Sequence, residues 1–209
     1  MYPGFRGGLI GQGFAPFNPP VAVVASALAT NLYLKSQAFD NAIWVKSNSA
    51  ITADTTVAPD GTTTADSQIA DAVSIGHYFS QNVVTTAVQM TTSFFAKAGN
   101  NNFANVLVNS IGNGFSFNLS TGTVGLRFTA TANCTAAITA AANGFYRCSL
   151  TYTGFAGTDT FYHYTATSGW TGGGAATQIF AGDGVTTNTI WWGAQLETGA
   201  VATTYNPNL

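Results

Sequence analysis

The chain has 209 residues, enough for one well-buried β-sandwich and too few for two with linkers. Hydrophobic residues make up 46% and aromatics 13%, which excludes a disordered composition, while charged residues fall to 7%, far below the roughly 25% usual in soluble domains. Net charge is −2 and the six basic residues, Arg6, Lys35, Lys46, Lys97, Arg127 and Arg147, stand singly; this argues against nucleic acid as a partner, and no apolar run is long enough for a membrane-spanning helix.

Residues 1–30 have their own texture. Gly and Pro at the density of MYPGFRGGLIGQGFAPFNPP forbid regular helix, while Tyr2, Phe5, Phe14 and Phe17 are anchors that a solvated linker does not need. The segment is expected to be an extended arm that docks on a neighbouring subunit, with Arg6 among its contacts. Residues 21–29, VAVVASALA, imitate a secretory signal, but they follow Pro19-Pro20 and a Gly- and Phe-rich stretch where a signal has a short basic start. A retained N-terminus is the expectation.

From residue 31 onward, short alternating segments are broken by Gly, Asn, Asp and Thr every eight to twelve residues or so, the pattern of sandwiches and barrels. In chain order the predicted strands are 31–35, 50–53, 63–69, 77–84, 91–98, 103–108, 115–119, 125–130, 136–140, 144–152, 158–164, 178–181 and 189–196. Turn chemistry marks the breaks, with Pro59-Asp60-Gly61, Gly112-Asn113-Gly114, Ser120-Thr121-Gly122, Asn143-Gly144 and Asp183-Gly184. Alternation puts Tyr146, Cys148, Leu150 and Tyr152 on one face, and Ile190, Trp192, Ala194 and Leu196 on another; both rows are expected in the core.

The two cysteines, Cys134 and Cys148, flank the turn at Asn143-Gly144. Cys148 is expected opposite Ile138, which leaves Cys134 about four residues further along, near 13 Å away and beyond the roughly 7 Å reach of a disulfide. Two free, mostly buried thiols are predicted, suited to a reducing cytoplasm.

Several stretches carry a resemblance. Asn31-Leu32, Ser36-Gln37, Phe39-Asp40-Asn41 with Trp44, and Pro59-Asp60-Gly61-Thr62 with Thr64-Ala65-Asp66 are similar to the opening of carbohydrate-binding-module-like jelly-roll domains of tailed-bacteriophage structural proteins. The segments 117–124, 143–148 and 192–197, and Ala202-Thr203-Thr204-Tyr205, continue it in order across residues 31–209. The resemblance implies an all-β, antiparallel jelly-roll sandwich over 31–209, preceded by the arm. It also implies a structural or adhesion role in a virion assembled in the host cytoplasm, as a capsid decoration, head fibre or tail-associated subunit. The partners would be capsid or tail subunits and host or environmental glycans, and the chain a homo-oligomer such as a trimer. Related modules also occur as free-standing or secreted carbohydrate-binding modules, the alternative reading.

Glycosidic hydrolysis needs two carboxylates across a cleft, about 5 to 9.5 Å apart. Asp40, Asp54, Asp60, Asp66, Asp71, Asp159 and Asp183 fall mostly at predicted turns, where they cap backbone amides, and Glu197 alone follows a core strand. A non-enzymatic protein is the expectation. Related modules hold a structural calcium near the chain ends, for which Asp40, Asp60 and Glu197 are the candidates, although no dense acidic loop supplies the six to eight oxygens calcium takes. His77 and His163 stand alone, without a metal-ligand partner, and are expected to be hydrogen-bonded strand residues at the surface. Glycan-binding candidates are rings that alternation or loop position exposes: Tyr162 and Tyr164 on one face of their strand, Trp170 in a Gly-rich loop, and Trp191 opposite Trp192.

Overall fold

The computed structural model describes residues 28–171 and 179–209, together with Met1 and Gly4. The arm residues Tyr2, Phe5, Arg6, Phe14 and Phe17 lie outside the described residues. Twelve strands are described: β1 (Val45–Ser47), β2 (Ser49–Val57), β3 (Thr63–Ala70), β4 (His77–Thr85), β5 (Gln89–Ala98), β6 (Phe103–Val108), β7 (Asn113–Asn118), β8 (Thr123–Arg127), β9 (Cys134–Ala140), β10 (Tyr146–Thr153), β11 (Gly157–Ala166) and β12 (Thr187–Thr198).

They form two six-stranded antiparallel sheets, sheet A in the order β1-β4-β11-β6-β7-β8 and sheet B in the order β2-β3-β12-β5-β10-β9. Along the chain the inner strands β3 to β7 and β10 to β12 pass between the sheets in the order of an eight-stranded jelly roll, with β6 and β7 adjacent in sheet A, so the expected antiparallel sandwich is the one found over the described residues. Most strand pairs span distant parts of the sequence, and each sheet buries one face against the other.

The buried layer between the sheets is aromatic. Phe79, Phe161, Phe117 and His163 from sheet A meet Phe94, Leu150, Trp191 and Leu196 from sheet B, and Tyr33, Phe39 and Trp44 close one side. Edge-to-face geometry prevails, as between Phe79 and Trp191 at 5.2 Å and 90°.

Residues 31–35, expected as a strand, are irregular, with bends at 33–35. Their backbone hydrogen bonds go elsewhere. Leu34 exchanges two with the Gln81 side-chain amide, Leu32 N–H reaches Leu196, and Asn31 Oδ1 accepts from Tyr33 and Leu196. Side chains supply the partners that a ladder otherwise supplies, so a strand-like sequence becomes a strap carrying Tyr33, Phe39 and Trp44 into the core. Expected strand 178–181 reduces, among its described residues, to one bridge between Phe180 and Ile75.

A second difference lies in β12. The row Ile190, Trp192, Ala194, Leu196 does not share a face: Trp191, Ala194 and Leu196 enter the core between the sheets, while Ile190 and Trp192 join a smaller cluster with Ala58, Ala65 and Phe145. The register against β5 shifts between Trp192 and Gln195, at Gly193, whose φ is +60°. One inserted residue reverses the parity of every side chain beyond it, and glycine takes the left-handed conformation at little cost. The face expected for β10 is observed, with Cys148, Leu150 and Tyr152 in the core and Tyr146 packed against it. The thiols are also as predicted: Cys148 lies opposite Ile138, Cys134 opposite Tyr152, and both are free and buried.

Candidate functional site

Two surfaces stand out, one on the outer face of each sheet. On sheet A, β4 and β11 place Tyr78, Tyr162 and Tyr164 on the same outward row, because Tyr164 pairs with Tyr78 across the strands and Tyr162 lies two residues away. The half-buried rings contact one another, with centroids 5.2 Å apart for Tyr78 and Tyr162 and 5.0 Å for Tyr78 and Tyr164. Along the same row Thr160 Oγ1 donates to Asn82 Oδ1 at 2.7 Å. Tyr162 and Tyr164 are thus brought together as the sequence suggested, and Tyr78 is a third member that alternation on β4 could have supplied.

The two tryptophan candidates are not surface platforms. Trp191 is fully buried, its indole donating to Gln68 Oε1 at 2.9 Å, because the parity of β12 holds up to the Gly193 bulge and points it inward. Trp170 is 2% exposed; its ring packs edge-on against Phe128 and its backbone N–H donates to Ser116 Oγ. Large rings are most often covered, whatever the glycine content of their loop.

The outer face of sheet B carries a concavity, a groove of about 830 Å³. Its floor is the outward row of β9 and β10, where Thr135, Ala137, Thr139, Ser149 and Thr151 are short enough to leave space. One wall is the C-terminal segment with Val201, Thr204 and Tyr205, and Pro59 and Asp60 contribute from the turn before β3. Trp192 lies behind Tyr205, ring centroids 4.8 Å apart, and Phe95 completes the aromatic end. The Tyr205 hydroxyl is hydrogen-bonded to Ser36 Oγ at 2.8 Å, and burial pushes its pKa up to about 12.

Arg147 projects outward from β10 into this groove. Its guanidinium carbon sits 5.4 Å from the centre of the Phe95 ring, Nη2 donates to Ser93 Oγ at 3.0 Å, and Nε is buried with no hydrogen-bond partner among the described residues. Desolvation lowers its pKa from the usual arginine value, opposed by the charge of Glu197. The Glu197 carboxylate, itself wholly buried, accepts from Gln195 Nε2, from Thr203 N–H and from the Thr203 hydroxyl. The groove escaped the sequence reading because its walls come from residues far apart along the chain. Arg147, a cation inside an alternating strand, was the one local signal.

The acidic side chains divide in two. Asp60, Asp71 and Asp183 cap their own turns, accepting from Thr62, Val73 and Val185 N–H as expected. Asp66 and Asp159 are buried within strands: Asp66 accepts from Phe39 and Asp54 N–H, and Asp159 fastens the 109–112 turn through Ser110. Desolvation raises Asp66 to about 6, against the lowering effect of its backbone donors. Asp40, Asp60 and Glu197 are not brought together; among the described residues no group of three or more His, Cys, Asp or Glu side chains is placed to hold a metal.

Both histidines are buried, against the expectation of a surface position. His77 meets the carbonyls of Asn48 at 2.5 Å and Phe180 at 2.8 Å, with Asp71 Oδ1 at 3.6 Å. His163 stacks on Phe79 at 5.1 Å and 6° and is surrounded by Tyr33, Trp44, Phe94 and Trp191. Desolvation depresses its pKa to about 3, so the ring is neutral and acts as a core aromatic.

Neither a protein-family model nor a curated protein matches the sequence. Among solved structures, the enzymatically active domain of tailspike protein 4 from bacteriophage CBA120 is similar at a TM-score of 0.45 and 10% identity, over 80% of this chain. The chain spans 21% of the length of that protein. The jelly-roll assignment rests on the strand order and not on that likeness.

Proposed function

We propose that this chain is a non-enzymatic structural and adhesion subunit of a bacteriophage particle. In this reading residues 1–30 anchor it to capsid or tail subunits and the sandwich faces outward as a homo-oligomer that works through its contacts. The observation that carries the reading is the character of the two outer faces. Each sets half-buried aromatic rings, Tyr78, Tyr162 and Tyr164 on sheet A and Phe95 and Tyr205 on sheet B, among hydroxyl and amide groups with few charges. Such surfaces hold partners by shape and stacking, and they accord with a chain only 7% charged. The segments that resemble phage jelly-roll domains support the same reading.

The test is truncation. Deleting residues 1–20 abolishes incorporation into particles while the sandwich still folds, as judged by an unchanged cooperative melt; normal incorporation of the truncated chain refutes the anchoring role. The groove on sheet B favours a second reading, a free-standing carbohydrate-binding module. That reading expects glycan binding by an isolated chain and no presence in particles.

A further inference from the structure

We propose that the groove on the outer face of sheet B binds a carboxylate-bearing glycan, with the Arg147 guanidinium pairing with the sugar acid. This rests on the adhesive reading and names its ligand class. The groove's size, about 830 Å³, lies within the range of small-ligand sites and suits two or three pyranose rings. Its floor offers the hydroxyls of Ser149 and Thr139, and Tyr205 borders it with a ring, the combination of short polar contacts and an apolar plane that a pyranose needs.

Arg147 sets the charge of the ligand. A guanidinium carries five N–H donors, and among the described residues this one finds a single acceptor, Ser93 Oγ. Ser93 is fully buried and the guanidinium rests over Phe95, so the fork is held in place before any ligand arrives. Glu197 offsets part of the charge from a distance, but its oxygens are engaged by Gln195 and Thr203, and it makes no ion pair with Arg147. A partly desolvated cation with unused donors gains most from an anionic acceptor, and a carboxylate matches the planar fork with two parallel hydrogen bonds. The other charge on the groove is Asp60, whose Oδ1 is held by Thr62. It disfavours a second acid at its end of the groove, which points to a single carboxylate beside Arg147 with neutral hydroxyls beyond.

The test is calorimetric titration of the full chain with a galactose trimer and with the same trimer carrying one galacturonic acid residue, at low salt. The expected result is at least tenfold tighter binding of the acid, weakening as salt is added, with that preference lost in Arg147→Gln. Ala137 is exposed on the floor, so Ala137→Trp fills the groove without disturbing the core and is expected to abolish binding of both sugars. It also keeps the proposal testable if Arg147→Gln fails to fold. Equal binding of acid and neutral trimers, no binding of either, or unchanged binding by a folded Ala137→Trp chain overturns the proposal. Equally tight binding of a glutamate-rich peptide overturns the glycan class. None of these results bears on whether the chain is part of a particle, which is read from particles themselves.

Discussion

His163→Phe separates a core aromatic from a titrating group. In the folded chain His163 is neutral, its pKa depressed by burial to about 3, whereas an unfolded histidine titrates near 6.5. The unfolded state therefore binds the extra proton between these values. The stability this group contributes is complete above pH 6.5 and is lost as pH falls towards 3, at about 1.4 kcal/mol per unit. Between pH 7 and pH 4 the loss is about 3 kcal/mol. Asp66 works in the opposite sense: raised to about 6, its contribution is complete below its ordinary value near 3.8 and is lost as pH rises through 6. It gives back about 2 kcal/mol over the same descent, so the wild-type chain is expected to lose only about 1 kcal/mol from this pair. In His163→Phe the histidine no longer opposes Asp66, and Asp183, lowered to about 2 by its hydrogen bonds to Thr186, loses its contribution mainly below its ordinary value near 3.8, so the protein gains stability on going from pH 7 to pH 4. Urea unfolding followed by tryptophan fluorescence at several pH values measures both curves. Any overpacking by the larger ring displaces the variant's curve as a whole, so the diagnostic is its slope relative to wild type. Parallel curves would falsify the assignment of His163 as a buried neutral ring.

The remaining predictions are local. Trp191→Ala is expected to cost about 3 to 5 kcal/mol, as for other large-to-small changes in a core, whereas Tyr162→Ala, on an outer face, costs less than about 1.5 kcal/mol; thermal or urea melts compare them. Gly193→Ala puts an L-residue at φ +60° and a Cβ 3.1 Å from the Phe95 ring, so a loss of about 1 to 2 kcal/mol and a changed Trp192 fluorescence environment are expected. Burial raises the Cys134 thiol to about 11 and pushes Cys148 well above its usual value, so both should resist a thiol reagent at pH 8 and react on unfolding; rapid labelling of the native chain contradicts their burial.

The sandwich was legible in the sequence because alternation and turn residues are local signals. The hairpin joining β9 and β10 shows how far they reach: the turn at Asn143-Gly144 sets the register, and the register places Cys148 against Ile138 and keeps the thiols apart. The misleading features are non-local partners and one strand bulge. Residues 31–35 alternate like a strand but find their hydrogen bonds on the Gln81 side chain and the C-terminal segment, 47 and more than 160 residues away. Strict alternation puts Trp192 in the main core only if one parity runs through Gly193, and an isolated glycine in a strand is itself a bulge signal. For the surfaces, the pairing of Tyr162 with Tyr164 followed from spacing alone. The groove did not, because Asp60, Arg147 and Tyr205 meet only after the sheet is assembled.

The central proposal is that the chain belongs to a virus particle, and mass spectrometry of particles purified from cultures that produce the chain tests this most directly. The account predicts the chain at high copy, in fixed proportion to the major structural proteins through successive purification steps. Its absence from pure, infectious particles, with the protein recovered free in the lysate, would contradict the account and leave a free-standing glycan-binding module in its place.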